Sequence, residues 1–367
     1  MLSTILIGVL WVFIVILVIG SLVPLSKVPH GIVRGLAFPR EQYLLLSVAL
    51  AVLVPFVHSG WPRFWALVLL AIVGGVQLLY VLKFTPIWRR QSVSASDDLK
   101  ANAGARISLL ASNVKLSNRA YRRLTTLIQQ KSPDIAMAIE VDNDWINALK
   151  ADLKVDYPHW VEVPKTTGYG LCVMSRLELS DVDVREMITE GVPSIKATVT
   201  LRDGRKLRLY VVHPEPPVID HDTKGRDGEI VQVGMEAAED DLPAIVTGDL
   251  NDVAWSSTTR RFQRLSGLLD PRVGRGFYNT FSATMPWMRW PLDHLFHDPK
   301  FRLVDMQRLP KIGSDHFPMW FELALAQTEK ANSDPEDFDP EEREEAEKVI
   351  EEERKRDREP IGTDWET

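Results

Sequence analysis

Three long apolar runs open the chain, and beyond them the pattern breaks into short apolar runs separated by turn signals. Leu2 to Leu25 contains no charged residue, which is long enough to cross the hydrocarbon core of a bilayer. No basic residue precedes this run and Val-Pro-Leu-Ser closes it, so it reads as an uncleaved span rather than a signal peptide. A second run, Tyr43–Val57, is shorter and contains Pro55, and a third, Phe64–Leu82, has only Gln77 as a strongly polar residue. His58–Arg63 joins them as a tight hairpin, and Trp61, Trp65 and Trp88 sit near the ends, where indole rings suit the membrane interface. The expectation is a membrane region over residues 1–90 with three transmembrane helices at about 2–25, 41–58 and 63–83.

Residues 91–105, rich in Ser, Asp and Ala, read as a linker to a globular domain over 106–326. Strand candidates there are Ile107–Ala111, Ile135–Ile139, Leu171–Met174, Ile195–Leu201, Leu207–Val212, Ala244–Thr247, Leu292–Phe296 and Met319–Leu325. Ser194–Leu201 alternates polar and apolar residues as a half-buried strand does, and Arg202–Arg205 supplies a hairpin turn. Helix candidates are Arg119–Gln130, Trp145–Leu153 and Thr258–Ser266, while Asp220–Glu229, with His221, Lys224 and Arg226, reads as a polar loop. Strands mixed with helices around an antiparallel hairpin predict an α+β domain. Residues 327–367 read as an acidic tail, disordered or helical, with too few apolar residues for a core and no assigned function.

Charge divides the chain in the same places. Residues 1–100 carry a net +5, 101–325 a net −2 and 326–367 a net −10. The globular part has no basic excess of the kind that marks nucleic-acid binding. Three spans put the first loop (Lys27, Arg34, Arg40) and the segment after the third run (Lys83, Arg89, Arg90) on one side, against Arg63 on the other. Loop charge therefore predicts a multi-pass cell-membrane protein with a cytoplasmic globular domain, an extracytoplasmic domain being the alternative. Cys172 is the single cysteine; in the apolar run Leu171–Met174 it reads as a buried strand residue.

Polar residues recur where the strand candidates end: Asn113, Glu140, His213, then Asp249 and Asn251 in Gly-Asp-Leu-Asn-Asp, Asp293 and His294 in Pro-Leu-Asp-His-Leu-Phe, and Ser314, Asp315 and His316 in Gly-Ser-Asp-His-Phe-Pro. Gly248-Asp249 alone reads equally well as a turn, and His316 alone as a core histidine. Asp293 is harder to set aside, because a carboxylate inside an apolar strand is costly unless paired or bound to a cation.

Taken in order, these residues resemble the endonuclease/exonuclease/phosphatase (DNase I-like) superfamily over about Arg106 to Leu325, with Gly-Asp-Leu-Asn at 248–251 and Gly-Ser-Asp-His at 313–316 as the strongest marks. The resemblance implies a four-layer α/β/β/α sandwich preceded by transmembrane helices, and a divalent-metal-dependent phosphoester hydrolase using Mg2+ or Mn2+. It implies that Glu140 is the principal metal ligand with Asn113 and Asp315 near it, that Asp249 orients or deprotonates the attacking water, and that Asn251 and His213 contact phosphate. It also implies that His316, oriented by Asp293, stabilises the transition state or assists proton transfer. His294 and His297 read as structural neighbours.

The lipid bilayer is one expected partner and a phosphorylated, lipid-linked substrate the other, because an anchor holds the site near the membrane. Nucleic acid is the disfavoured alternative, given the −2 balance of the domain. A non-catalytic membrane scaffold is the third reading. The aromatic cluster Trp287, Met288 and Trp290 reads as core, as a pocket wall or as a segment dipping into the bilayer surface.

Overall fold

A computed structural model describes residues 2–326 and 340–363; the remainder of the acidic tail lies outside the described residues. The apolar start forms α1 (Leu2–Leu22), the short α2 (Gly31–Gly35), α3 (Arg40–Val57) and α4 (Gly60–Val81). Three stretches, Ile5–Ser26, Arg40–Val57 and Gly60–Phe84, are long and apolar enough to cross a membrane. Ile14, Leu17, Val54, Ala66, Leu70 and Val73 pack between these helices, while Phe56, Leu79, Val52 and Leu45 stay exposed on their outer faces. Apolar surface of that extent is what a helix shows to lipid. Gln77 is buried among the three helices, accepting from Arg40 Nη1 at 3.0 Å and donating to Ser21 Oγ at 2.6 Å, so its amide is satisfied internally.

The segment read as a linker lies packed on the globular domain. It contains α5 (Asp97–Ala101), and buried Ser92 hydrogen-bonds His297 Nε2 at 2.7 Å. The domain follows as β1 (Arg106–Asn113), α6 (Tyr121–Lys131), β2 (Ile135–Ile139), α7 (Asn143–Leu153), β3 (His159–Val163), β4 (Leu171–Ser175), β5 (Leu179–Arg185), β6 (Ser194–Thr200), β7 (Lys206–Val212), α8 (Lys224–Glu239), β8 (Ala244–Asp249), α9 (Ser257–Ser266), β9 (Asp293–His297), β10 (Phe301–Arg308), β11 (Met319–Leu325) and α10 (Pro340–Arg354).

These strands form a six-stranded sheet in the order β10-β11-β1-β2-β4-β3 and a five-stranded sheet in the order β5-β6-β7-β8-β9. Their facing surfaces close over one core that includes Ile107, Leu109, Met137, Val173, Leu209, Ile245 and Phe321. Helices α6 and α7 cover the outer face of the first sheet through Leu124, Ile128, Trp145 and Leu149. Helices α8, α9 and α10 cover the second through Ile230, Val233, Phe262, Leu265, Ala346 and Ile350. The result is the expected four-layer α/β/β/α sandwich.

Two local features differ from the sequence reading. The polar loop expected at Asp220–Glu229 ends at Thr223, where α8 begins. Its Gly225, Gly228 and Gly234 speak against a helix by propensity, but Gly234 allows Phe262 of α9 to approach to 2.9 Å of where a Cβ would stand. The acidic tail, read as disordered or helical, contributes the helix α10, which docks on α8 with Ala346, Ile350 and Glu353 buried.

Candidate active site

Strands β1, β2, β7 and β8 end, and β9 begins, at one edge of the sandwich, and each delivers a polar side chain there. Asn113 closes β1 and Glu140 follows β2; Asp249 closes β8, Asp293 opens β9, and His213 follows β7. Asp315 and His316 precede β11. Glu140 and Asn251 sit in left-handed backbone (φ 64° and 49°), an uncommon conformation for non-glycine residues that turns the chain sharply at the strand end. Gly248 has φ 146°, and a Cβ there would lie 1.9 Å from the Val212 carbonyl oxygen. The Gly-Asp step is therefore fixed by the close approach of β7 to β8.

Every residue expected at the site is in this cluster. Asn113 Nδ2 donates to Glu140 Oε1 at 2.5 Å and to Asp249 Oδ2 at 3.0 Å. Asn251 N donates to Asp249 Oδ1 at 2.9 Å, and its amide nitrogen lies 3.3 Å from His213 Nε2. His316 Nδ1 is 2.8 Å from Asp293 Oδ2, and its Nε2 is 3.5 Å from Asp249 Oδ2. Thr280 Oγ1 accepts from the Asp293 backbone at 3.1 Å, and Ser314 Oγ from the His316 backbone at 2.9 Å. Asp315 stands at the edge of the group, paired with Lys115 Nζ at 3.0 Å.

The electrostatics divide the cluster into two halves. Burial pushes Glu140 up to about 8, against the opposing pull of Asn113 and His316. Burial also disfavours charge on His316, but Asp293 and Asp249 outweigh it and hold the imidazolium up to about 10. Burial takes His213 the other way, down to about 4, so it is a neutral ring at neutral pH. Asp249 resists burial through His316, His213 and the Asn251 N–H, and stays below the ordinary carboxylate range.

One histidine is thus a fixed cation beside two carboxylates, and the other half is a set of acids short of positive charge. Ligand atoms of Glu140, His213 and Asp249, and separately of Asp249, Asp293 and His316, lie close enough together for a metal ion. The Asp293–His316 ion pair already satisfies the second group. Glu140, half-buried and raised, is where a divalent cation fits, since a hard cation on oxygen ligands would restore its charged form.

His294 and His297 are interior. His294 is held between Arg272 and the Asp252 carbonyl and lies at about 3, and His297 between Ser92 and Asp298. Cys172 is buried in β4, its thiol pushed up by burial. Arg226 is also buried, donating to the Asn251 carbonyl at 2.9 Å and pairing with Asp227. It fixes the loop that carries Asn251.

The cleft over these residues, about 440 Å3, has walls that the motifs do not announce. Phe38, from the loop between α2 and α3, lines it with Phe281 and Leu292 on one side, and Tyr169, Gly362 and Thr363 line another. The tail reaches the cleft because buried Glu215 binds it. Glu215 carboxylate oxygens accept from Arg358 Nη1 and Nη2 at 2.6 Å each and from the Ile361 N–H at 2.9 Å. The Tyr169 hydroxyl donates to the Ile361 carbonyl, and its ring lies 5.6 Å from that of His213. Glu215 two positions after His213 is the one sequence signal for this wall, a charged residue among prolines at a strand end.

Comparison with known proteins agrees with this geometry. The profile of the Endonuclease/Exonuclease/phosphatase family matches residues 110–316. Comparison with curated proteins gives no match. Among solved structures, D. rerio TDP2 complexed with single-strand DNA product is 18% identical with a TM-score of 0.51, covering 60% of this chain and 99% of that one. The human Nocturnin catalytic domain with bound sulfate anion is 16% identical with a TM-score of 0.51, covering 61% and 95%. An endonuclease/exonuclease/phosphatase family protein from Bacteroides thetaiotaomicron is 18% identical with a TM-score of 0.50, covering 60% and 96%. At these identities the likeness is one of fold, and the family profile spans more than half of the sequence. The chain therefore belongs to the endonuclease/exonuclease/phosphatase family, whose members are hydrolases acting on phosphoester bonds.

Proposed function

We propose that the protein is a membrane-anchored, divalent-metal-dependent phosphoester hydrolase whose substrate is a phosphorylated molecule held in or at the bilayer. The observation that carries this reading is the junction between the spans and the cleft. Phe38, two residues before the second candidate span, lines the cleft, and its ring packs 5.6 Å from that of Trp290. Within the first turn of that span, Glu41 accepts from Asn279 at 2.8 Å and Gln42 donates to the Trp287 and Arg289 carbonyls at 3.3 Å. The segment that leads into Asp293 is therefore level with the start of a span. Trp287, 70% exposed, and Met285 and Met288, also exposed, face outward there, as side chains at a membrane interface do.

Glu140, with Asn113 and Asp315 beside it, would hold a divalent cation, which would supply charge to screen the phosphate and stabilise the leaving oxygen; magnesium and manganese both suit these ligands. Asp249, kept ionised by its neighbours, orients the attacking water and takes its proton. His316 enters as an imidazolium and donates to a phosphoryl oxygen, with Asp293 fixing the ring through Nδ1. Neutral His213 and the Asn251 amide donate to the remaining phosphate oxygens. Such preorganised donors act mainly where charge develops in the transition state.

A panel of nucleic acids, lipid phosphates and phospholipids, offered to the purified full chain with magnesium, tests the reading. Turnover of the membrane-borne esters above that of nucleic acid is expected. Preferred turnover of nucleic acid would overturn the substrate class, and no turnover of any ester, with or without metal, would leave the scaffold reading. Protease accessibility of residues 101–325 in intact cells tests the cytoplasmic placement that loop charge favours; cleavage from outside would reverse it.

A further inference from the structure

On the far side of α9's first turn from the catalytic Asp-Leu-Asn loop lies a second polar cavity with the opposite charge. It measures about 570 Å3 and is lined by Lys27, Arg34, Arg260, Arg261 and Arg264, together with α10 side chains. A recess of about 30 Å3 adjoins it, sharing Lys27, Arg34, Ser257 and Arg260 and adding Arg40, Tyr80 and Ser256. Among the described residues, no carboxylate lines this recess.

The acids on the outer cavity are already used. Glu342 binds Arg264 Nε at 2.9 Å, Glu345 pairs with Arg261, and Asp227 is shared between Arg34 at 2.8 Å and Arg226 at 2.7 Å. Among the described residues, no carboxylate lies within ion-pair distance of Lys27, Arg40 or Arg260. Arg40 is 97% buried from solvent by its 3% exposure, and its Nε has no hydrogen-bond partner. Arg40 and Arg260 stack on the Tyr80 ring, 3.6 and 4.8 Å from its centroid, which fixes both guanidinium groups. The α9 N-terminus adds the Ser256 and Ser257 end of its dipole to the same recess.

The position of the cavity defines the ligand. Pro24 and Leu25 belong to the last turn of the first candidate span, Arg40 opens the second and Tyr80 lies near the end of the third. All four line the recess. A small soluble anion would use the cations alone. A molecule with an anionic head and apolar chains would use the cations and also the exposed apolar face of α1, where Ile19 and Leu22 point outward. We infer that this cavity is a binding site for the phosphate headgroup of an anionic phospholipid, held between the ends of the three spans and the first turn of α9. The site is separate from the catalytic cleft and rests on the reading of the three helices as membrane spans. A bound headgroup would join Lys27 of the first span's end to Arg260 of the catalytic domain and so hold the domain against the bilayer.

The test uses the full chain purified from membranes and reconstituted in vesicles of equal parts phosphatidylglycerol and phosphatidylcholine. After extraction in detergent, retained lipid is counted by mass spectrometry. At least about ten-fold enrichment of phosphatidylglycerol is expected, with most of it lost in Lys27→Gln/Arg260→Gln and part of it in Lys27→Gln alone, an exposed position where folding is not at risk. A melting temperature of the double variant equal to wild type in phosphatidylcholine alone checks that the loss is one of binding. Equal retention of both lipids by a wild-type chain that resists carbonate washing of membranes would overturn this inference and leave the anchor standing. Release of the chain by carbonate would overturn both. Inorganic phosphate raising the melting temperature as far as phosphatidylglycerol does, and displacing it, would assign the cavity to a free anion and overturn the lipid.

Discussion

The catalytic cleft and the cavity at the span ends lie on either side of the segment 249–257, yet they are built from opposite charges. In the cleft, Glu140, Asp249 and Asp293 face one imidazolium, His316, while Asp315 is paired with Lys115. In the cavity, Asp227, Glu342 and Glu345 are already paired with arginines, and among the described residues no carboxylate is at ion-pair distance from Lys27, Arg40 or Arg260. Burial raises the cost of the excess charge in both, so each is built for a counter-ion, a cation in one and an anion in the other. The sign of the uncompensated charge says more about the ligand of each than the −7 net charge of the chain does.

The comparison breaks most visibly at the acids of the cleft. Asp249→Asn and His316→Ala should each lower turnover by roughly two to four orders of magnitude with small changes in substrate affinity, since each acts mainly in the transition state. The double variant should lose much less than the product of the two losses; full multiplicativity in steady-state kinetics would separate the two residues. Glu140→Gln should abolish the response to added magnesium or manganese in a calorimetric titration while leaving the melting curve cooperative. A titration unchanged from wild type would move the metal away from Glu140.

A smaller effect concerns stability. Arg358→Ala leaves Glu215 buried without its bidentate partner, which should cost about 3 kcal/mol, and Glu215→Gln in the same chain should recover part of it. Chemical denaturation of the two variants decides, and an Arg358→Ala chain as stable as wild type would make the strap over Tyr169 incidental.

The last expected effect is one of pH. His316 is raised from an ordinary 6.5 to about 10 in the fold, so it binds its proton more tightly folded than unfolded. Its stabilisation is fully present below about pH 6.5 and is lost as pH rises through 10. The gap in melting temperature between wild type and His316→Gln should therefore narrow from pH 6.5 to 10, and a gap that widens would contradict the Asp293–His316 ion pair.

Much of this was legible in the chain, and what was not has a common physical cause. The eight strand candidates correspond to β1, β2, β4, β6, β7, β8, β9 and β11, seven of which are interior to their sheets. The unexpected strands β3, β5 and β10 are all sheet edges. Leu-Ser-Asp-Val-Asp-Val-Arg in β5 and Phe-Arg-Leu-Val-Asp-Met-Gln-Arg in β10 carry the charges that edge strands tolerate and that hide them from an apolar pattern. The four acids and two histidines of the cleft stood out because each lies beside an apolar run, but it was the resemblance to the family, not that pattern, that made them a site. Its walls could not, because Phe38, Tyr169 and Thr363 are brought together only by tertiary packing and have no spacing in common. The basic cavity was legible only as loop charge. Lys27, Arg34 and Arg40 read as orientation signals, and nothing in the sequence places Arg260 beside them.

The two walls that hold Phe38 and Thr363 also set an order of events during synthesis. The first candidate span is complete once residue 26 has been made, and it can enter a bilayer while the catalytic strands are still untranslated. The cleft cannot be closed until a ribosome has added residue 363. On the membrane-anchored reading, the nascent chain between those two moments would be tethered and without one wall of its cleft. On the same reading, the cleft would take its final shape only after the first span has met the bilayer, so the shape that selects a substrate would be completed at the membrane.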